Sequence, residues 1–433
     1  GFSGARERSL QAVHEGLAAA NRTGLHLWDQ MFSAIGAYNM LAAGDHLGAE
    51  TYGRGMESML DPRRLLDVTH YHYNLSWSAV LSGDLARARE QADLFMRITD
   101  TSAQFFINLN RVAMAHVLIL SNEQRRASML LKDVRTFLKN VDSALLEFKY
   151  HLTRAHAALT VGEDGAHANE LRKAFAIGRA RKIYHFDWWL PAIMQRLCAV
   201  ALEQDIEAPY VRELIRRNEL LPEANRLIPS SWPWPVKIYT LGRFRLEVAG
   251  KPLTFSGKVQ KKPLEMLKAL VAFGGEGVTE GQITDALWPD AEGDAGRLSF
   301  KSALHRLRQL LGADDAVVYR DGRVGLDPRL CWVDAWAFER MLESSPDESF
   351  RGQAALGVHR SELMNEKKPS AIRKHQSEIL QRLERALQLY TGEFLSGEPE
   401  QVWMISPRER LREKFLRAVL LFGSSLEQAG NHT

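Results

Sequence analysis

Cysteine is scarce in this sequence, and long hydrophobic runs are missing. The two cysteines, Cys198 and Cys331, are far apart and form no CxxC or Cys/His pattern. This excludes a disulfide framework and a structural zinc site, and it favours a reducing compartment. No segment approaches the roughly 18 to 20 apolar residues that a membrane helix needs. We therefore expect a cytoplasmic protein with no membrane contact.

Motifs of catalysis are also missing. The sequence has no G-x-x-x-x-G-K-[ST] phosphate loop, no G-x-S-x-G elbow and no H-E-x-x-H zinc motif. His70 and His72 are two residues apart and do not share a helix face, and the adjacent Asp314 and Asp315 diverge in the same way. We therefore predict no enzyme, no catalytic residues, no metal and no cofactor.

What the chain does contain is typical of soluble globular proteins. Its 433 residues, 45% hydrophobic and 25% charged, predict two to four domains. The start, GFSGARERSL, has no initiator Met or signal pattern, so we expect a piece of a longer protein. The net charge is +3, and residues 236–330, with 15 basic and 12 acidic residues, carry all of it.

A short phrase recurs in the first half of the chain. It begins at Leu41, Val80, Ile119 and Thr160, and it places alanines at 49, 88, 127 and 168, spaced by 39, 39 and 41 residues. Each of the first three copies has Gly or Asn followed by an acidic residue, a pattern that ends one helix and begins the next. A period near 40 predicts stacked helical hairpins, an α-solenoid over residues 1–230.

This repeat resembles tetratricopeptide repeats, whose second helix has an entry like Gly83-Asp84 to Ala88. The period here is longer than that family's 34 residues. The pattern is most similar to the long repeats of large bacterial regulators of the MalT type. That resemblance implies a concave surface that either senses a small-molecule or protein effector or acts as an autoinhibitory surface. Family analogy also leaves room for an NTPase module upstream.

The character of the sequence changes after residue 221. LPEANRLIPSSWPWP, with four prolines, predicts a domain boundary. The next 20 residues alternate in a strand pattern and predict a three-stranded antiparallel meander. Three helices follow, at Pro263–Phe273, Thr279–Leu287 and Gly296–Leu311, and then a hairpin of strands Val317–Arg320 and Arg323–Leu326 around Asp321-Gly322. Strands, three helices and a terminal hairpin predict a winged helix over residues 236–330.

This segment resembles the OmpR-type winged helix, in the variant found in Streptomyces antibiotic regulatory protein (SARP) activators. The opening LGRFRLEVAGKPL, the helix end Leu287-Trp288-Pro289 and the run HRLRQLLG from His305 to Gly312 carry the match. The resemblance implies binding to double-stranded promoter DNA.

The third helix has the chemistry of a DNA-recognition helix. Phe300, Leu304, Leu307 and Leu311 form one apolar stripe that we expect in the core. The outward residues include several basic ones and no acidic one from Arg297 to Leu311, and such a face suits a major groove. The candidate DNA-binding residues are Arg297, Lys301, Ser302, His305, Arg306, Arg308, Arg320, Arg323, Lys258, Lys261 and Lys262.

These candidates divide into predicted roles. Lys301, Ser302 and His305 are assigned to base edges or adjacent phosphates, and Arg306 and Arg308 to phosphates. Arg320 and Arg323 flank the hairpin tip and are expected at the neighbouring minor groove. The three lysines precede the first helix and are expected to contact the DNA backbone.

The rest of the chain, residues 331–433, resembles the bacterial transcriptional activator domain, a helical-repeat domain that follows the winged helix in SARP-like regulators. Val333-Asp334, Phe338-Glu339, the run from Tyr390 to Leu395, Trp403 and the run from Arg408 to Leu411 carry the match. The polar stretch at 343–378 is interpreted as an inserted flexible loop, and the domain as truncated. The resemblance implies homodimer formation and contact with RNA polymerase.

Together these patterns predict a mainly α protein: an α-solenoid, an α/β winged helix and a C-terminal helical-repeat segment. The leading hypothesis is a bacterial transcription regulator that binds promoter DNA and, as the family resemblance implies, activates transcription. The alternative is an interaction scaffold whose winged helix docks protein instead of DNA.

Overall fold

The computed structural model describes residues 6–99, 104–162, 165–222, 228–253, 261–291, 293–343 and 369–428. Over these residues the chain is mainly α-helical with two small sheets, as the sequence predicts. It divides into two compact units, Gly1–Pro222 and Glu223–Thr433. None of the helices in the described ranges combines the length and apolar character needed to cross a bilayer.

The first unit consists of helices in which sequence neighbours pack against each other, most extensively α2 with α3, α4 with α5, α6 with α7 and α8 with α9. The bounds are α1 Arg6–Thr23, α2 Asp29–Ala42, α3 His46–Ser58, α4 Leu65–Ser82, α5 Leu85–Thr99, α6 Gln104–Leu120, α7 Gln124–Leu138, α8 Ala144–Val161, α9 Ala166–Arg181, α10 Pro191–Glu203 and α11 Ala208–Arg217.

The repeated phrases lie at the turns within these pairs. Gly44, Gly83 and Asn122 have φ of 80°, 82° and 61°, the left-handed conformation that ends a helix and favours glycine or asparagine. The acidic residue that follows begins the next helix: Asp45 Oδ1 accepts from the Gly48 amide at 2.7 Å. The four repeated alanines are all buried, where their small size lets paired helices approach.

The core of this unit contains a polar cluster that the repeat pattern does not predict. Trp77, Trp188 and Trp189 are almost fully buried. Beside them the Lys149 Nζ lies 2.5 Å from Asp187 Oδ2, and the Tyr73 hydroxyl donates to the same oxygen. Because an isolated charge is costly to bury, each of these two ions depends on the other.

Two stacked histidines make the stability of this unit sensitive to acid. The His116 and His156 rings lie 5.9 Å apart. Burial lowers the pKa of His116 well below its usual value and that of His156 to about 4, with Arg196 contributing to the latter. The unfolded chain, with histidine pKa near 6.5, therefore takes up protons that the folded chain does not, and stability falls as the pH drops below 6.5.

We expect the free energy of unfolding of this unit to fall by about 2 kcal/mol between pH 7.5 and pH 5 from His156 alone. Urea denaturation at the two pH values measures this change. A variant carrying both His116→Gln and His156→Gln should have a flatter pH dependence, and an unchanged dependence would contradict the assignment.

The second unit begins with strands and continues with helices. Its elements are β1 Val236–Tyr239, β2 Arg245–Val248, β3 Lys251–Pro252, α12 Lys261–Ala272, β4 Val278–Thr279, α13 Glu280–Leu287, α14 Gly293–Leu311, β5 Val317–Arg320, β6 Arg323–Leu326, β7 Cys331–Val333, α15 Asp334–Glu343, α16 Pro369–Leu389 and α17 Val402–Gln428. One sheet has the order β3-β2-β1-β7 and the other β4-β6-β5.

The predicted local elements agree closely with these bounds. β1, β2 and β3 pair as an antiparallel meander, and the hairpin strands β5 and β6 have the predicted ends, with Asp321 and Gly322 at φ of 51° and 71°. Thr279 caps α13 in a capping box with Gln282. α14 begins three residues earlier than predicted.

The sequence did not predict that β7 would extend the first sheet. Cys331–Val333 pairs in parallel with β1, with Val236 opposite Cys331 and Ile238 opposite Val333. The carboxylate that follows, Asp334, is 3% exposed. It accepts hydrogen bonds from the Thr240 amide and hydroxyl and from the Leu241 amide, each at 2.8 Å, and from the Ala335 amide at 2.7 Å.

The turn after β1 also holds the chain between α16 and α17. The Gly242 amide donates to the Glu393 carbonyl at 3.0 Å, and the Leu395 amide donates to the Thr240 carbonyl at 2.7 Å. The Arg408 guanidinium then donates to the carbonyls of Phe394 and Leu395. One hydrophobic core therefore runs from the strands and α12 to α17, across the boundary placed at residue 330 from the sequence.

The segment interpreted as a flexible loop at 343–378 is helical from Pro369, where α16 begins; residues 344–368 lie outside the described ranges. A polar composition is typical of solvated helices as well as of loops. Later in α16, Leu383 and Ala386 are buried and anchor the helix.

Candidate nucleic-acid interface

Helix α14 has one face in the core and the opposite face exposed. Each residue of the exposed face lies two positions before a residue of the core face. Phe300, Leu304, Leu307 and Leu311 are all at most 5% exposed, as predicted. Two residues correspond to about 200° around a helix of 3.6 residues per turn, so the same spacing shifted by two marks the outermost stripe. That stripe consists of Leu298, Ser302, His305 and Gln309, which are all exposed.

Basic side chains flank this stripe on both sides. Arg297 and Lys301 lie along one edge and Arg306 along the other, and all three are exposed. When a helix lies in the major groove, the middle of its exposed face meets the base edges, and a phosphate backbone runs along each side. The uncharged centre and the two basic edges of α14 match that distribution of chemistry.

The close approach of α13 to α14 depends on a glycine. A Cβ atom on Gly296 would lie 2.7 Å from Cγ2 of Thr284, so one of the two side chains would have to shift. Thr284 lies on α13, and Gly296 is buried in the first half of α14. The glycine therefore permits the close approach of these two helices.

Glu280 joins the hairpin to the Arg297 edge of α14. Its Oε1 lies 3.5 Å from Arg297 Nε, and its Oε2 accepts from the Tyr319 hydroxyl on β5. That hydrogen bond raises the pKa of Tyr319. Tyr319 also packs on Phe300, with 5.5 Å between ring centroids. Glu280 was not among the predicted residues, because nothing in its local sequence reveals a contact with residue 319.

Arg308 contacts the hairpin in a different way from the other basic residues of α14. It is only half-buried at the end of the helix, and its Nε and Nη2 donate to the Val317 carbonyl at 3.0 and 2.8 Å. Two of its donor nitrogens thus hold the start of β5 against α14. This contact gives Arg308 a structural task that its predicted role as a phosphate contact did not include.

The remaining predicted residues are placed as follows. Arg320 is exposed next to the hairpin turn, and Arg323, also exposed, donates to the Gly277 carbonyl at 2.9 Å. Lys261 is exposed at the start of α12, whereas Lys262 donates to the Leu287 carbonyl at 2.8 Å and pairs with Glu265. Lys258 lies outside the described residues. The structure thus brings together the α14 set and the hairpin set on elements that contact one another.

Two of the cavities in the described part of the first unit have volumes comparable to small-molecule sites. One, of about 420 Å³, is lined by both basic and acidic side chains, which include Arg6, Arg8, Arg217, Glu7 and Glu219. The other, of about 290 Å³, lies between α2, α3 and α4 and is lined by residues that include His46, Met56 and Asn74. Both are in the size range of ligand pockets or just below it.

Comparison with known families identifies the end of the chain. Residues 356–433 match the bacterial transcriptional activator domain. The match covers α16 and α17 and supports the SARP-like resemblance found in the sequence. It begins within the stretch interpreted as an insertion, so part of that stretch belongs to the matched domain.

This domain is typical of transcription regulators and not of enzymes. A search of curated proteins found no match. Two of the landmarks contact each other in the fold: Glu339 pairs with Arg410 at 3.2 Å, and it also pairs with the nearby Lys414 at 2.8 Å.

Proposed function

We propose that the protein is a bacterial transcription regulator that binds double-stranded promoter DNA through a winged helix formed by residues 236–330. In this proposal α14 is the recognition helix and the β5–β6 hairpin is the wing. The observation that carries it is the α14 surface: an uncharged stripe opposite the core, with basic side chains on both edges. The activator domain matched at the C-terminal end favours this function over protein docking.

The other parts of the chain have proposed roles in the same function. Residues 1–230 form a tetratricopeptide-like solenoid that senses a small molecule or a protein, and the cavities of the first unit support a small-molecule effector. Residues 331–433 act as the activator domain, which pairs protomers or contacts RNA polymerase in the cytoplasm. Because the strands and the activator helices share a core, DNA binding and activation depend on one folded unit.

Arg306 gives a direct test of DNA binding. It is exposed on the edge of α14 that lies away from Glu280. We expect Arg306→Ala to weaken binding to all duplex sequences and to reduce the slope of log K against log [salt] by about 0.9, the contribution of one phosphate contact. Fluorescence anisotropy with a labelled duplex between 50 and 200 mM salt measures both effects.

The matched control is Arg385→Ala, which removes the same charge from an exposed position on α16. It should leave the slope unchanged. Equal slopes for wild type, Arg306→Ala and Arg385→Ala would contradict the proposed phosphate contact. Absence of duplex binding by the wild type, with α14 protected from hydrogen exchange, would favour the protein-docking scaffold.

A further inference from the structure

The outermost stripe of α14 contains an apolar residue that the DNA-binding function does not yet explain. Leu298 is 69% exposed. In the described part of residues 228–343, Leu298 and Val318 are the large apolar side chains with more than a third of their surface exposed. One lies on α14 and the other on β5, so both of these exposed large apolar side chains belong to the elements of the candidate interface.

The position of Leu298 relates it to the neighbouring stripe residues. Ser302 and His305 follow it at four and seven residues, on the same face. Leu298 lies in the second turn of α14, and the N-terminal part of a recognition helix is the part that reaches base edges. A leucine there has no hydrogen bond to offer. It can recognise only an apolar group.

The major groove presents one apolar group, the 5-methyl group of thymine. We propose that Leu298 contacts a thymine methyl group and so makes α14 select T at one position of its binding site. This inference rests on the proposed DNA-binding function and adds a base preference to it. Ser302, the next residue on the stripe, can form hydrogen bonds with several bases. Leu298 therefore discriminates between bases more strongly than Ser302 does.

The test removes the methyl group and the leucine separately. A duplex selected by the wild-type protein from a random pool is resynthesised with each thymine replaced in turn by deoxyuridine, which lacks only the methyl group. At one thymine we expect the replacement to weaken wild-type binding about fivefold, the effect of losing one buried methyl contact. Leu298→Ala should bind the original duplex about fivefold more weakly and be insensitive to that replacement.

Two controls make the result specific. Leu66→Ala removes a leucine of 43% exposure from α4 of the first unit and should bind every duplex as the wild type does. Because Leu298 is exposed and alanine favours helix, Leu298→Ala should keep its helical content in circular dichroism.

If deoxyuridine weakens wild type and Leu298→Ala equally at every thymine, or weakens neither, the inference is overturned while DNA binding stands. If no duplex is enriched at all, both the inference and the proposed function are overturned.

Discussion

Replacing Asp334 with alanine is expected to destabilise the second unit by about 3–5 kcal/mol. Asp334 is buried between β7 and α15, where its two oxygens accept from three backbone amides and the Thr240 hydroxyl. Burial raises the pKa of Asp334, and these donors oppose the rise. Alanine leaves the Thr240 and Leu241 amides buried with no acceptor, which costs more than the lost hydrogen bonds alone.

Asn is the informative second variant, because it keeps the shape and one acceptor oxygen. Asp334→Asn should lose less stability than Asp334→Ala. The Asn oxygen still accepts hydrogen bonds, and only its NH2 group faces the donors that the second carboxylate oxygen served. Hydrogen exchange at increasing urea, followed in peptides from β1 and α17, reports the stability of this unit within the whole chain. Glu343→Gln breaks an exposed contact to Lys414 and should cost under about 1 kcal/mol. An Asp334→Ala cost as small as that would contradict the anchoring role.

Local patterns predicted most of the elements of this fold. The alanine period placed the turns between α2 and α3, α4 and α5, and α6 and α7, because each copy repeats a helix end followed by a closely packed helix pair. The Asp321-Gly322 turn placed the hairpin because both residues must adopt positive φ. The Phe300 stripe placed the core face of α14, and thereby the exposed face. These features depend on residues close together in sequence.

The parts that were not predicted depend on contacts between distant residues. β7 is three residues long, and only its pairing with β1, 95 positions away, makes it a strand. Val333-Asp334 and the run from Tyr390 to Leu395 stand out in the sequence only as separate landmarks. Their common contact with the turn at Thr240 is not visible there. In the candidate interface, the contact of Glu280 with Tyr319 was missed for the same reason. Leu298 was missed because an exposed leucine carries no charge pattern that marks a DNA contact.

The second large effect is expected at Lys149. Lys149→Met keeps an unbranched side chain of similar length in α8 but removes the positive charge beside Asp187. Burial lowers the pKa of Lys149, and Asp187 opposes that change. Each buried charge is therefore stabilised by the other. With the Asp187 carboxylate left buried and its Lys149 partner gone, the first unit should lose about 3–5 kcal/mol of stability. Hydrogen exchange of peptides from α8 and α10 at increasing urea measures the loss.

Removing both charges separates the cost of an orphaned carboxylate from the value of the pair itself. In the double variant Lys149→Met, Asp187→Asn no buried charge remains, so most of the lost stability should return, because an ion pair taken out of water gains little over neutral groups of the same shape. Arg179→Met, which breaks an exposed pair with Glu207, should cost under about 1 kcal/mol. If the double variant is as unstable as Lys149→Met, the loss arises from packing around Trp188 and not from an unpaired Asp187.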